Sequence, residues 1–390
     1  MTGLSPLSGV LVADFSRVLA GPFATMTLGD LGAEIVKVER PEGDDTRAWG
    51  PPFVDDHSTY YLGVNRNKRS VVLDLTNPDD LRAARTLAEH ADVVVENFRP
   101  GVMARFGLDE PTVRSVNPEL VYCSISGFGA AAGRELPGYD LLVQALGGLM
   151  SITGPDDNSP TKVGVALVDV LAGLFATVGI LAALHERDTS GMGQRVEVNL
   201  LSTLLSALAN QSSGYVLTGM VPNAIGNTHP SIAPYDTYAT SAGTLVLAVG
   251  TDRQFTQLCA VIGTPELTHD ERFANNEARV RHRLALREHL ERALAAAPAS
   301  QWANALTSRG IPAGTVNTIA EAFTLATDLG LAPIRRTDDC DDRLGLQVAS
   351  PITLSDTPVT YRTRAPRLGE HSSDIRAWLD ATERQQQYTA

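Results

Sequence analysis

Short apolar runs alternate with helical segments over the first third of the chain. The runs are rich in valine and isoleucine and are continuous rather than alternating, and they occupy residues 10–15, 33–39, 70–75, 92–97 and 120–126. Helical spacing marks residues 21–31 and residues 78–90, the second segment opened by Asn77-Pro78. Continuous apolar strands separated by helices are typical of a parallel sheet covered on both faces. The pattern therefore predicts an α/β domain whose ligands bind at the carboxyl ends of its strands.

The pattern changes near residue 222. Residues 226–250 indicate a loop followed by hairpin strands, and Arg-rich helices follow between residues 252 and 309. We therefore assign residues 1–221 to the N-terminal part of a large domain and residues 222–330 to a small α+β domain. Residues 331–390 carry scattered Pro and Arg with few periodic runs. This indicates a segment that returns to the large domain or wraps over a partner subunit.

Asp169 is the only charge in the apolar stretch of residues 163–184. A buried carboxylate without a partner costs on the order of several kcal/mol, so it persists where it is hydrogen-bonded or used. The simplest interpretation is a helix N-cap, which satisfies free N–H groups of the first turn. A catalytic nucleophile or base is the alternative, and the two roles can coexist. The stretch reaches membrane-span length, but its Gly and Ala content and its acid favour a buried core helix.

Charge is unevenly distributed. The net charge is −13 and there are only three lysines, which argues against a general nucleic-acid binder. Cations nevertheless cluster early, beside predicted strand ends, at Arg17, Lys37, Arg40, Arg47, Arg66, Lys68, Arg69, Arg99 and Arg105. They form either a solvated surface or a rim that binds phosphates. Three cysteines without CxxC spacing, and no signal-peptide pattern, lead us to expect a cytoplasmic protein.

His229 lies in the polar segment GNTHPS. Such a histidine is either structural and exposed, or it orients a substrate or transfers a proton. Since no second His or acid stands at metal-ligand spacing, we expect no metal site.

Several long motifs, in order along nearly the whole chain, resemble the class III CoA-transferases, also called the carnitine dehydratase and bile-acid-inducible (CaiB/BaiF) family. They cover residues 7–41, 65–75, 91–108, 117–129, 218–235 and 365–372. Within this family, residues 43–53, 138–155 and 226–235 are most similar to the succinyl- and glutaryl-CoA transferases that act on short dicarboxylates.

The resemblance implies a Rossmann-like large domain with a parallel sheet built from both chain ends, an inserted small domain and an interlocked homodimer. It places the catalytic aspartate at Asp169, and its CoA-contacting positions fall on Val18, Leu19, Arg40, Lys68, Asn97, Phe98, Arg105 and Tyr139. The gate loop of formyl-CoA transferase is replaced by a segment with His229 and Tyr235, which we expect to contact the substrate. A lysine of that enzyme is Pro137 here. Both differences argue against formate or oxalate.

The implied reaction moves CoA from an acyl-CoA, succinyl- or glutaryl-CoA by this resemblance, to another short carboxylic acid. Its intermediates are an aspartyl-acyl anhydride and an aspartyl-CoA thioester. CoA enters as a substrate, with no permanently bound cofactor, and we expect no nucleic-acid or membrane partner. One alternative is an α-methylacyl-CoA racemase, but the racemases that share this fold have His where Tyr139 stands, and tyrosine is a poor base at neutral pH. The other is a catalytically silent CoA-binding protein.

Overall fold

The computed structural model describes residues 5–389. The chain divides into two compact units. The first contains Met1–Leu149, Val163–Met220 and Ala332–Ala390, and the second contains Met150–Lys162 and Val221–Leu331.

A six-stranded parallel sheet forms the centre of the first unit. The strands up to residue 199 are β1 (Leu11–Asp14), β2 (Glu34–Glu39), β3 (Phe53–Val54), β4 (His57–Ser58), β5 (Lys68–Val72), β6 (Val93–Glu96), β7 (Val121–Ser126) and β8 (Arg195–Asn199). The sheet order is β5-β2-β1-β6-β7-β8, with β3 and β4 paired as a separate hairpin. This confirms the predicted α/β parallel sheet. The order reverses between β1 and β6, the place where doubly wound sheets bind their ligands.

Helices cover both faces of the sheet, α1 and α7 on one and α3 on the other. The helices up to residue 218 are α1 (Ala20–Asp30), α2 (Thr59–Leu62), α3 (Pro78–His90), α4 (Val102–Arg105), α5 (Glu110–Val116), α6 (Asp140–Leu146), α7 (Leu167–Ser190), α8 (Leu200–Ala207) and α9 (Asn210–Thr218). Successive side chains of a strand point to opposite faces. Val93 and Val95 therefore join the core that contains α1 and α7, whereas Val94 joins the core that contains α3. Strands buried on both faces explain the continuous apolar runs.

By length and composition, α7 could cross a membrane. In the structure its residues Ala172, Ala176 and Ile180 are fully buried in the core shared with α1. One face of α7 therefore belongs to the core of the first unit, as expected for a core helix. Leu174, Phe175 and Val178 remain exposed on the same helix.

The second unit has its own core. It contains β9 (Tyr235–Ala239), β10 (Thr244–Ala248) and β11 (Ala313–Thr315), with α10 (Asp252–Ile262), α11 (Asn276–Arg281), α12 (Arg283–Leu294), α13 (Ala299–Thr307) and α14 (Ile319–Asp328). The antiparallel sheet β11-β10-β9 packs through Leu247 against Leu258 and Leu290 of α10 and α12.

The C-terminal segment returns to the first unit. It contributes the antiparallel pair β12 (Ile334–Arg336) and β13 (Leu346–Val348), and then α15 (Ser372–Thr389), which packs on α3 and β5. The prediction of a parallel sheet built from both chain ends is wrong in one respect, because all six strands of that sheet lie between residues 11 and 199. Pro351, Pro358 and Pro366 interrupt the returning segment, and proline has no N–H group for a sheet ladder.

Candidate active site

Asp169 lies in the first turn of α7. The N-cap position of this helix is Ala166, whose side chain makes no capping bond. Asp140 of α6 caps the helix instead: its Oδ1 accepts hydrogen bonds from Val168 N at 2.8 Å and Asp169 N at 3.3 Å. The interpretation of Asp169 as the N-cap is therefore wrong, because another helix supplies the capping carboxylate.

The carboxyl group of Asp169 is strongly perturbed. Burial, reinforced by the negative charge of Asp140, raises the pKa of Asp169 to about 7. Within the part of the chain that the structure describes, no cation pairs with this carboxylate. A carboxylate with a pKa near neutral is only partly ionised at pH 7 and is unusually basic, a property common at catalytic sites.

A cavity of about 260 Å³ contains Asp169, and we call it the Asp169 pocket. It opens at the carboxyl ends of β1, β6 and β7. Its lining residues are Arg17, Val18, Leu19, Ala20, Asp45, Asn97, Phe98, Arg99, Pro100, Ile125, Ser126, Gly127, Leu136, Pro137, Gly138, Tyr139, Asp169 and Leu200.

A second cavity of about 250 Å³, the Phe15 pocket, adjoins the first at the carboxyl ends of β1, β2, β5 and β6. It is lined by Phe15, Ser16, Arg17, Lys37, Val38, Glu39, Arg40, Gly43, Asp44, Leu73, Asp74, Leu75, Thr76, Phe98, Val102, Met103 and Phe106. Arg17 and Phe98 line both cavities, and the guanidinium carbon of Arg17 lies 5.0 Å from the centre of the Phe98 ring. This cation–π pair marks the junction of the two pockets.

The loop after β1 is strained and is held on several sides. Val18 has φ +69°, a left-handed conformation that costs a β-branched residue roughly 1–3 kcal/mol. Its N–H lies 3.3 Å from an Asp44 carboxylate oxygen, and Lys37 Nζ donates to Asp44 at 2.9 Å. Asn97 bonds both backbone groups of Arg17. Strain that is fixed by so many bonds is typical of functional sites.

The Lys37–Asp44 pair is fully buried. Burial alone would raise the pKa of Asp44, but the Lys37 charge and hydrogen bonds from Thr46 lower it to about 2. The Asp44 carboxylate is therefore ionised at neutral pH and is a strong acceptor for the Val18 N–H group.

The structure brings most of the predicted site residues together. Asp169, Val18, Leu19, Asn97, Phe98 and Tyr139 all line the Asp169 pocket. Arg40 lines the Phe15 pocket and binds Asp45 at 2.5 Å. Arg105 is exposed at the end of α4, whose residues Val102 and Met103 line the same pocket.

Lys68 lies elsewhere. It is 1% exposed, and its Nζ donates to Asp14 Oδ2 at 3.1 Å, Pro22 O at 2.9 Å and Asn65 Oδ1 at 3.0 Å. Burial lowers the pKa of Lys68 to about 8, although Asp14 opposes the shift. Lys68 lines neither pocket, so its contact with CoA stays a prediction.

His229 and Tyr235 belong to the second unit, where their ring centres are 5.1 Å apart. His229 Nδ1 accepts a hydrogen bond from Ser231 N at 3.0 Å. A neutral His229 therefore carries its proton on Nε2 and can donate it to a ligand. The role of both residues in substrate contact stays a prediction.

Two groups that interact with Asp169 carry no signal in the sequence. One is Asp140, described above. The other is Tyr60 of α2, whose pKa is raised to about 12 by burial and by the charge of Asp169, and whose ring packs edge-on against Trp49 at 5.5 Å. Neither residue stands near Asp169 in sequence, and no spacing rule could have joined them. Between residues 5 and 389, no group of His, Cys, Asp and Glu side chains is suited to a metal ion.

Known proteins resemble this chain over nearly its full length. The profile of CoA-transferase family III matches residues 7–372. The succinate–glutarate CoA-transferase of Agrobacterium fabrum is 41% identical over 388 residues, 97% of each chain. The succinyl-CoA:glutarate CoA-transferase of Homo sapiens is 39% identical and covers 83% of this chain and 74% of its own length. The crystal structure of a CAIB/BAIF family protein from Brucella suis is 40% identical, has a TM-score of 0.86 and covers 97% of this chain and 100% of that one.

These matches favour neither the racemase nor the silent binding protein, since the curated relatives are named as transferases. The chain belongs to CoA-transferase family III and is an acyl-CoA:carboxylate CoA-transferase.

Proposed function

We propose that Asp169 is the covalent nucleophile in an exchange of CoA between succinyl- or glutaryl-CoA and a second short carboxylic acid. One observation carries this proposal: an unpaired, largely buried carboxylate with a pKa near 7 lines a pocket at the ligand-binding edge of the sheet. Such a group is basic enough to attack a thioester, and no paired cation lowers its nucleophilicity.

The exchange proceeds in four steps. An Asp169 oxygen bonds to the thioester carbonyl carbon, the carbon–sulfur bond breaks, and an aspartyl-acyl anhydride and CoA thiolate form. The thiolate attacks the aspartyl carbonyl and releases the donor acid, leaving an aspartyl-CoA thioester. The acceptor carboxylate displaces the thiolate to form a new anhydride. The thiolate then attacks the acyl carbonyl of this anhydride, giving the new acyl-CoA and free Asp169.

The adjoining pockets support a placement for CoA. The Phe15 pocket offers apolar walls from Phe15, Leu73 and Leu75, which suit an adenine ring. Arg40 is an exposed cation that lines this pocket, and Arg105 is an exposed cation on α4, whose residues Val102 and Met103 line it, so we assign both arginines to the CoA phosphates. The pantetheine arm then passes Phe98 and delivers the thioester to Asp169.

We propose a dicarboxylate of about four to six carbons as the acceptor, since the quoted relatives are named for succinate and glutarate. His229 and Tyr235 take part in its recognition. The free Nε2–H of His229 is a donor suited to a carboxylate, and the Tyr235 ring is partly exposed beside it.

The functional assembly we propose is an interlocked homodimer. Two helices of the chain, α9 and α14, contain no buried residue. Their apolar side chains are open to solvent, with Val216 76% and Ile319 81% exposed. Apolar surface of this kind marks a protein interface, and a second copy of the chain is the occupant we propose.

Replacement of Asp169 tests the mechanism. Asp169→Ala should abolish transfer from succinyl-CoA to glutarate while CoA binding is retained and the melting temperature does not fall. Hydroxylamine added to wild-type protein with succinyl-CoA should convert Asp169 to a hydroxamate, detected by peptide mass spectrometry. Asp188→Ala, an exposed aspartate on the same helix, is the matched control and should keep full activity. Substantial transfer by Asp169→Ala would exclude the covalent mechanism.

A further inference from the structure

Asp140 is bound through both of its carboxylate oxygens. Oδ1 accepts the N–H groups of Val168 and Asp169, and Oδ2 accepts from Gln144 Nε2 at 2.5 Å. Gln144 is fully buried, and its Oε1 accepts from Val163 N at 2.9 Å. Asp140 itself is only 9% exposed. These bonds lock α6 onto the start of α7.

The charge of Asp140 has no counterion. Among the described residues, no Lys, Arg or His forms an ion pair with its carboxylate, so its charge is compensated only by N–H groups of Val168, Asp169 and Gln144. A carboxylate in the first turn of a helix is ordinarily stabilised by the free N–H groups there. Asp140 accepts hydrogen bonds from two of these N–H groups, so they do not stabilise the ionised carboxylate of Asp169.

We infer that Asp140 is a positioning residue of the transfer reaction, which fixes the backbone that carries Asp169 and keeps a negative charge beside its carboxylate. This inference rests on the proposed role of Asp169 as the nucleophile. Its basis is the pair of hydrogen bonds to the first turn of α7, the burial of Asp140 and the missing cation.

The neighbouring charge favours attack by Asp169. Repulsion from Asp140 raises the free energy of the ionised Asp169 carboxylate and makes it more basic. When Asp169 becomes acylated, its negative charge leaves with the CoA thiolate. The repulsion therefore disappears as the covalent bond forms, and formation of the anhydride is favoured relative to an isolated aspartate.

Few other charged or titratable groups face Asp169. Tyr60 of α2 is neutral at working pH because its pKa is about 12. Arg17, paired with Asp45, and the exposed Arg99 line the same pocket. Apart from α6, which carries Asp140, the elements packed against α7 carry only paired charges or none. Asp30 of α1 binds Arg66, Arg195 and Glu197 of β8 bind each other, and β7 and α8 have no Asp, Glu, Lys, Arg or His. Asp140 is therefore the unpaired anion beside the nucleophile.

Neutral substitutions of Asp140 that retain a capping oxygen separate the effect of its negative charge from the effect of its hydrogen bonds to α7. In Asp140→Asn and Asp140→Ser, an oxygen can still accept the N–H groups of α7, but the negative charge is lost. Asp140→Glu retains the charge. Thr251→Ala removes the side-chain cap of α10 in the second unit and serves as the control for loss of a cap alone. The Asp169 carboxyl is titrated by ¹³C NMR in protein labelled with [4-¹³C]aspartate, with the signal assigned from Asp169→Asn.

We expect Asp169 to titrate at a lower pH in both neutral variants than in the wild type. If the pKa of Asp169 falls by half a unit, the ratio of kcat/KM at pH 6 to kcat/KM at its high-pH plateau rises about threefold, because more of the carboxylate is ionised at pH 6. The plateau value itself should fall, because the carboxylate is less basic. Asp140→Glu should stay near the wild-type titration, and Thr251→Ala should lower the melting temperature alone. An unchanged Asp169 titration in both neutral variants would overturn the inference. The NMR titration does not require catalytic turnover. A wild-type protein that transfers no CoA would therefore refute the proposed function, whereas the measured effect of Asp140 on the Asp169 titration would remain valid.

Discussion

Asn97 holds Arg17 by both backbone groups of that residue. Its Oδ1 accepts from Arg17 N at 2.8 Å, and its Nδ2 donates to Arg17 O at 2.7 Å. The side chain that directly follows β6 therefore sets the path of the loop that follows β1, across the point where the sheet reverses its order. The strained Val18 comes next in this loop.

Removal of this clamp should weaken binding of acyl-CoA. Asn97→Ala leaves two backbone groups without their partners, at about 1 kcal/mol each, and we expect KM for acyl-CoA to rise by roughly thirtyfold. Steady-state kinetics with succinyl-CoA measures the change. Asn117→Ala, which removes a similar bond to Ala91 O, should leave KM unaltered. An equal KM in both variants would show that the loop keeps its shape without Asn97.

Loss of Arg40 or Arg105 should raise KM for acyl-CoA. Each cation is expected to contribute about 1 kcal/mol to phosphate binding, so Arg40→Ala and Arg105→Ala should each raise KM about fivefold, with a smaller effect at high salt. Arg281→Ala changes an exposed ion-paired arginine of the second unit and is the control.

Unlike Arg40 and Arg105, Lys68 is buried, and we expect its replacement to affect stability. Because its ammonium group is buried against Asp14, Lys68→Met should lower the free energy of unfolding by about 3–5 kcal/mol. Urea denaturation measures this loss. A stable Lys68→Met protein with a raised KM would instead assign Lys68 to CoA.

Asp169→Asn should stabilise the protein at alkaline pH. The folded protein retains the Asp169 proton up to about pH 7, whereas the unfolded chain releases it near 3.8. The folded state thus binds more protons across this window, and stability falls as pH rises through it. Removal of the charge should increase the free energy of unfolding by about 2–4 kcal/mol at pH 8, with little effect at pH 4. Urea denaturation at both pH values tests this, with Asp188→Asn as the control; no gain at pH 8 would contradict it.

His229→Ala should reduce the preference for dicarboxylates. If His229 donates to the far carboxylate, wild type should use glutarate about a hundredfold better than butyrate, and the variant should narrow this ratio about tenfold. Initial rates with succinyl-CoA and each acid give the ratio. His269→Ala alters an exposed histidine of the same unit and should leave it unchanged. Equal rates for both acids in the wild type would show that the far carboxylate is not recognised.

Charged substitutions on α9 and α14 should disrupt the proposed dimer. Val216→Asp and Ile319→Asp place a carboxylate on surfaces that we assign to the second copy, so light scattering after gel filtration should show a shift toward monomer. Val116→Asp introduces the same charge at an exposed valine of α5 and should leave the mass unchanged. A monomeric wild-type protein would exclude the assembly.

Local sequence signals located most elements of the first unit. The helix expected at residues 78–90 is α3, because Asn77 caps it through Asp79 N and Asp80 N. Strand β5 was expected at residues 70–75 but begins at Lys68. The apolar pattern missed its start because Lys68 is buried by hydrogen bonds to Asp14, Pro22 and Asn65, which a hydrophobicity pattern cannot show.

The sequence predicts individual residues of the candidate site but not the contacts between residues that are distant in the chain. Asp169 stands out in sequence because it is alone in an apolar run. Its partner Asp140 does not, because the contact depends on how α6 meets α7. For the same reason, the early cations could not be sorted in advance into buried Lys37 and Lys68 and exposed Arg105.

The burial of two of the three lysines makes the folded protein a poor target for amine-directed reagents. Lys37 and Lys68 have fully buried side chains, whereas Lys162 is exposed. Lys37 lines the Phe15 pocket, whereas Lys68 contacts Asp14 and lines neither pocket. An acylating reagent should therefore modify Lys162 readily and reach the other two only when the structure around each of them opens. The rate of labelling at Lys37 would then report local opening at the Phe15 pocket, which a bound ligand should slow, and the rate at Lys68 would report opening around Asp14.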